Sequence, residues 1–121
     1  MKRVLIVEDN RDFHEFYKVV LDTDKLLLRF HTSAVEAIDD VRSTGYDLII
    51  LDILMDGHGF NGIGFIWRLR KQLSSRIPVI LTTVLDKEIC KGIAHLGPFS
   101  FLHKPFTADR LLQEVEKYLP A

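Results

Sequence analysis

The chain has 121 residues, 47% of them hydrophobic, with a formal net charge of −1 and a single cysteine. That length leaves room for one domain spanning 1–121, and that composition favours a packed globule over disorder. Near-neutral charge argues against this domain gripping nucleic acid by itself, and a lone cysteine excludes an internal disulfide.

The first apolar run, 4–7, is cut by Glu8 and Asp9, too early for a secretory signal or a bilayer span. It reads as a strand instead. Phe13, Phe16, Tyr17 and Val20 then recur at i, i+3, i+4 and i+7, which predicts an amphipathic helix. A second strand is expected at 26–30. Ser33 and Glu36 form a capping box that opens a second helix, with Ala34, Ala37, Ile38 and Val41 inward and Gly45 beyond its end. The run 48–51 is the third strand. Ile63, Ile66 and Leu69 stripe a third helix on which Trp67 packs, with Arg68, Arg70 and Lys71 on its exposed face. A fourth strand is predicted at 79–82, followed by a short helix capped by Asp86 and weakened by Gly92. Cys90 reads as a small apolar residue on that helix. The last strand is 99–102. Thr107 caps a fifth helix that turns Leu111, Leu112, Val115 and Leu119 to the core and stops at Pro120.

The strands are short and largely continuous in apolar character, as buried parallel strands are. Five βα units predict a doubly wound α/β fold: a five-stranded parallel sheet flanked by five helices. Sites on such sheets lie outside the carboxyl ends of the strands, where the winding reverses. Glu8 and Asp9 follow the first strand, Asp52 the third, Thr83 the fourth, and Lys104-Pro105 the fifth. In the flavodoxin-like order 2-1-3-4-5, strands one and three are neighbours, about 4.8 Å apart, so Asp9 and Asp52 face each other with Glu8 beside them. Three carboxylates in one crevice repel each other unless a cation relieves them, and oxygen-only ligands suit Mg²⁺. Lys104 starts two strands away, roughly 10 Å at the backbone, and only its long side chain brings a charge back to Asp52. Thr83 offers a hydroxyl. Pro105 fixes the backbone beside Lys104, where a cis bond is plausible. An aspartate nucleophile, a divalent ion, an ammonium and a hydroxyl together suit phosphoryl transfer onto the carboxylate.

Lys-Arg-Val-Leu-Ile-Val-Glu-Asp at 2–9, Asp-Leu-Ile-Ile-Leu-Asp at 47–52, Ile-Pro-Val-Ile-Leu-Thr-Thr at 77–83 and Lys-Pro-Phe at 104–106 resemble the receiver domains of two-component response regulators, end to end and in order. The resemblance implies a phosphorylation-dependent signalling switch that catalyses only its own phosphorylation and dephosphorylation. By it, Asp52 is the phosphoacceptor and Asp9 a direct ligand of Mg²⁺ (or Mn²⁺). Glu8 supports the ion through water, and the backbone carbonyl of Leu54 supplies another ligand. Thr83 and Lys104 contact the phosphoryl oxygens, and Phe101 takes the place of the switch aromatic. The implied partners are a histidine kinase or histidine phosphotransfer protein, an output domain or target protein, and a second copy in a phosphorylation-dependent homodimer. Cytoplasmic residence without a membrane partner is expected.

The chain departs from the family pattern after Asp52. Asp56 stands where a proline is usual, and Gly62 opens the third helix two residues late, so 56–61 reads as an enlarged glycine-rich loop. Val84 replaces a small residue. Leu54 and Leu85 flank the expected phosphoryl position and give no help in orienting water, which predicts a long-lived phosphoryl-aspartate. His103 reads as a satisfied, half-buried residue without a role, and His14, His31, His58 and His95 as surface or packing residues. Three other readings are weaker. A pseudo-receiver working without phosphorylation conflicts with the intact acidic, hydroxyl and amine set. A haloacid-dehalogenase-like phosphatase needs a second aspartate where this chain has Leu54, and flavin binding lacks its phosphate loop.

Overall fold

The computed structural model describes residues 1–55, 62–84 and 87–120, with the backbone alone at 87–90. Five strands, β1 (Lys2–Val7), β2 (Leu26–His31), β3 (Leu48–Asp52), β4 (Val79–Thr83) and β5 (Phe99–His103), form one parallel sheet in the order β2-β1-β3-β4-β5. The expected doubly wound order is therefore observed. The strands extend the apolar runs by a residue or two, because ladder pairing continues past the last apolar side chain: Val7 pairs His31, and Thr83 pairs His103.

Helix α1 (Arg11–Val20) starts where the Asn10 side chain accepts the Asp12 N–H, α2 (Ala34–Ser43) where Ser33 accepts from Glu36, and α4 (Ala108–Tyr118) where Thr107 accepts from Arg110. These caps satisfy donors that the first helical turn otherwise leaves unpaired. Two apolar layers flank the sheet. Leu5, Val7, Ile49, Leu51 and Leu81 pack with Ala37 and Ile38 of α2 and with Phe65, Ile66 and Leu69. On the other face Val4, Ile6, Leu48, Ile50 and Ile80 pack with Tyr17 and Leu21 and with Leu111 and Val115 of α4. The alternation follows from the two-residue period of a strand covered on both faces. Leu112 and Leu119 join the second layer as partly buried residues.

Five expectations need correction. Buried character holds for β1, β3 and β4, but β2 is an edge strand whose residues alternate, with Leu27 turned outward. The third helix is α3 (Gly62–Trp67) continued by a π-helical turn, Arg68–Gln72, in which Leu73 donates to the Arg68 carbonyl at 3.0 Å. Arg70 is buried rather than exposed, and its guanidinium donates to four carbonyls: Leu96 (2.6 Å), Ser75 (3.0 Å), Ile77 (2.6 Å) and Pro98 (2.7 Å). Five N–H donors in a fixed fork let arginine serve several carbonyls at once, which repays its burial. Burial, helped by the charge of Arg76, pushes its pKa down to about 10. The fourth helix, where a short α-helix was expected, is a 3₁₀ segment, Lys87–Leu96, that buries Ile93 and Leu96. Trp67 is 48% exposed, so it does less packing than its size suggested. The expectations at 56–61 (His58 included), Leu85, Asp86 and the Cys90 side chain lie outside the described residues.

Candidate functional site

Glu8, Asp9 and Asp52 converge at the carboxyl end of the sheet, each offering an oxygen within 4.8 Å of the others. Glu8 and Asp9 follow β1 directly, and Asp52 ends β3, the neighbour of β1. Glu8 is held by its own backbone: its N–H donates to His31 at 3.0 Å, and its carbonyl accepts from the His14 Nε2 at 2.6 Å. His14 is buried against the Phe30 ring, 4.9 Å away, so it positions the first acidic residue from beneath. A carbonyl only accepts, so Nε2 of His14 carries the proton. Asp52 is nearly covered and accepts the Leu54 N–H at 3.2 Å, while Leu54 turns its side chain to solvent.

Lys104 crosses from beyond β5 to this cluster. Its Nζ lies 2.7 Å from Glu8 Oε1 and 3.4 Å from Asp52 Oδ2, and its backbone N–H donates to Thr83 at 2.7 Å. The Lys104–Pro105 bond is cis, as is Gly97–Pro98. Burial, reinforced by the charge of Glu8 and opposed by Lys104, pushes Asp52 up to about 7. The rise comes first from burial, to which the neighbouring Glu8 charge adds and which the Lys104 ammonium only partly offsets. The donor set is oxygen-only and compact, so its chemistry fits a hard divalent ion such as Mg²⁺.

The structure brings Glu8, Asp9, Asp52 and Lys104 together, as the sequence predicted. Thr83 is fully buried at the end of β4, but the register partner of Asp52 is Thr82, one residue earlier. Phe101 lies in β5, half-buried against the layer that contains Leu81 and Ile93. Val84 is exposed, and its carbonyl accepts from His103 at 3.1 Å. His103 itself is exposed rather than half-buried, because it stands at the open end of the edge strand.

Sequence reasoning missed three contributors. A Cβ on Gly62 would lie 2.6 Å from the Asp52 carbonyl and 2.7 Å from Ile53 Cα, so glycine is required there by close approach. Tyr17 is buried with its phenol close to Thr82, Glu8 and Asp52; burial and the two carboxylates push its ionisation far up, so it stays protonated. Phe13 places its ring under the Lys104 ammonium, 4.2 Å from centroid to Nζ. The apolar stripe of α1 was the available signal for both aromatics, but a stripe does not say which ring meets a charge.

The parallel order and the acidic rim crossed by a lysine define the receiver class of phosphorylation switch. The chain belongs to the response regulator receiver domain family, whose model matches residues 4–116. It is similar to the nisin biosynthesis regulatory protein NisR of Lactococcus lactis, 26% identical over 94% of this chain and 48% of that protein. It is also similar to the response regulator ArlR of Staphylococcus haemolyticus, 27% identical over 98% of this chain and 53% of that one. The chain thus spans about half the length of these curated relatives. Among solved structures, the Francisella response regulator 1452 receiver domain superposes with a TM-score of 0.86 at 27% identity, covering 98% of this chain and 96% of that one. TrrA of Thermotoga maritima, solved in complex with Mg²⁺-BeF, superposes with a TM-score of 0.83 at 28% identity, covering 98% and 99%. Among the described residues, no helix is long and apolar enough to cross a membrane.

Proposed function

We propose that residues 1–121 act as one receiver unit in which Asp52 accepts a phosphoryl group. The observation that carries this reading is the reach of Lys104 across the sheet end to Asp52 and Glu8, beside three carboxylates gathered within 4.8 Å. An Asp52 oxygen attacks phosphorus, the bond from phosphorus to the donor breaks, and the donor leaves with its electron pair: an imidazole nitrogen from a histidine kinase or phosphotransfer protein, or acetate from acetyl phosphate. Asp9, Asp52 and the Leu54 carbonyl hold Mg²⁺ or Mn²⁺, with Glu8 supporting through water; when bound, the ion neutralises developing charge on the phosphoryl oxygens. Lys104 shares that task, and Thr83, at the rim of β4, donates its hydroxyl to a phosphoryl oxygen. Phe101 turns inward as Thr83 closes. The altered face, built from the 3₁₀ segment, β5 and α4, then engages an output domain, a target protein or a second copy. Such a switch works in the cytoplasm beside its kinase.

Incubation with acetyl phosphate and Mg²⁺ followed by intact-mass measurement tests the reading. A gain of about 80 Da in wild type, lost in Asp52→Asn, is expected. No gain with either a small donor or a phosphohistidine donor would sink the proposal and favour a contact-only module.

A further inference from the structure

We infer that Phe13 is a positioning residue for phosphoryl transfer, its ring holding the Lys104 ammonium at the acidic rim. The inference rests on the assignment of Asp52 and Lys104 proposed above and adds a residue to it.

Three elements converge on one nitrogen. Glu8, after β1, lies 2.7 Å from Nζ; Asp52, ending β3, lies 3.4 Å away; the Phe13 ring of α1 has its centroid at 4.2 Å. The Lys104 side chain is only 10% exposed, so its ammonium has lost most of its water. A desolvated cation is where an aromatic face attracts most strongly. The ring is itself fixed by neighbours: Phe16, Tyr17 and Phe106 have centroids 6.3, 6.2 and 6.2 Å from it. Phe106 comes two residues after Lys104, so the chain that delivers the lysine also delivers one wall of the cluster holding its ring.

An ammonium has three donors, and lysine carries them on a flexible stem. A ring face attracts the charge without accepting a directional hydrogen bond. Phe13 therefore leaves the donors for Glu8, Asp52 and an incoming phosphoryl oxygen. In the structure the ammonium stands closer to Glu8 than to Asp52. Serving a phosphoryl group on Asp52 means loosening the Glu8 contact, and the ring is the partner that stays constant through that exchange. Leucine at position 13 would fill similar volume but lack the quadrupole, so it separates packing from positioning.

Two measurements test the inference on the full chain. The first is a double-mutant cycle on urea unfolding with Phe13→Leu, Lys104→Gln and the combination. Coupling is expected, with the cost of Phe13→Leu smaller once the charge is gone; additive costs overturn the inference whatever the site does. The second is the rate of mass gain with acetyl phosphate and Mg²⁺. Phe13→Leu is expected to slow it roughly three- to thirtyfold, the range that a cation–π contact supports, while Phe13→Tyr keeps a rate near wild type. Equal slowing by leucine and tyrosine, an unchanged leucine rate, or the same relative slowing in a Lys104→Gln background overturns it. If wild type gains no mass but the cycle shows coupling, the Asp52 assignment falls and takes the catalytic part of this inference with it, leaving a structural contact.

Discussion

Gly62 stands where the chain after Asp52 folds back, its N–H donating to the Ile53 carbonyl at 3.1 Å. Its lack of a side chain lets α3 begin against the backbone of Asp52, so any Cβ must push Asp52 or the helix aside. Gly62→Ala is expected to cost about 1–3 kcal/mol, the usual range for overpacking a tight site, read as a lower urea midpoint at unchanged slope. An unaltered midpoint would show that the Asp52–Ile53 backbone simply yields. Asp40 offers a second test at this scale. Burial draws its carboxyl upward, but hydrogen bonds from Tyr46 and His31 outweigh that, and Arg29 adds its charge, so its pKa falls below the ordinary 3.8. A lowered carboxyl contributes stability that is fully present above the unfolded value and is lost as pH falls through the folded one. Wild type should therefore lose more stability than Asp40→Asn when urea unfolding is compared at about pH 5 and pH 3; parallel losses would remove the argument. Tyr46 shares the contact, and burial together with Asp40 pushes its phenol up to about 12.

Among the elements, β1, β3 and β4 were legible because each is covered on both faces and so reads as an unbroken apolar run. The acidic residues were legible for a related reason: Glu8 and Asp52 are the first polar residues after such runs, Asp9 follows Glu8 directly, and topology placed them side by side. The π-helical turn and the 3₁₀ segment were not legible. Ile63, Ile66 and Leu69 keep helical spacing across the widened turn, and the role of Arg70 depends on the Leu96 and Pro98 carbonyls, more than twenty-five positions on, as well as on Ser75 and Ile77 just after the turn. Helical patterning assigns a charged residue next to Arg68 and Lys71 to solvent, whereas tertiary contacts buried it. Phe13 failed differently: its place on the stripe was right, but its partner lies ninety-one positions later, at Lys104. Arg70→Met should expose the importance of the buried fork. Four carbonyls would lose their charged donor, and with partial rescue by water we expect a loss of about 3–5 kcal/mol, measured by urea unfolding. A loss below about 1 kcal/mol would mean that water replaces the guanidinium without cost.

For the whole molecule, the acidic rim is a source of instability. Asp52 is raised from 3.8 to about 7 by burial and by Glu8, so the folded state keeps a proton that the unfolded chain releases. The sign follows: without divalent ions, stability is unaffected below the unfolded value and declines as pH rises from about 4 to about 7. Asp52→Asn removes that titration, so its melting temperature should exceed wild type at pH 8 and approach it at pH 4. A variant that is equally destabilised at both pH values would show that the carboxylate is not crowded. Arg70 adds a mechanical consequence. It moors the segments entering β4 and β5 at the end of the sheet away from the rim, and five strand residues span roughly 16 Å. A displacement of about 1 Å at the Thr83 or Lys104 end would then correspond to a tilt of only about 4° around that anchorage, given the same strand length. Any signal written at the crevice would travel as a swing of two tethered levers rather than as a slide of the sheet.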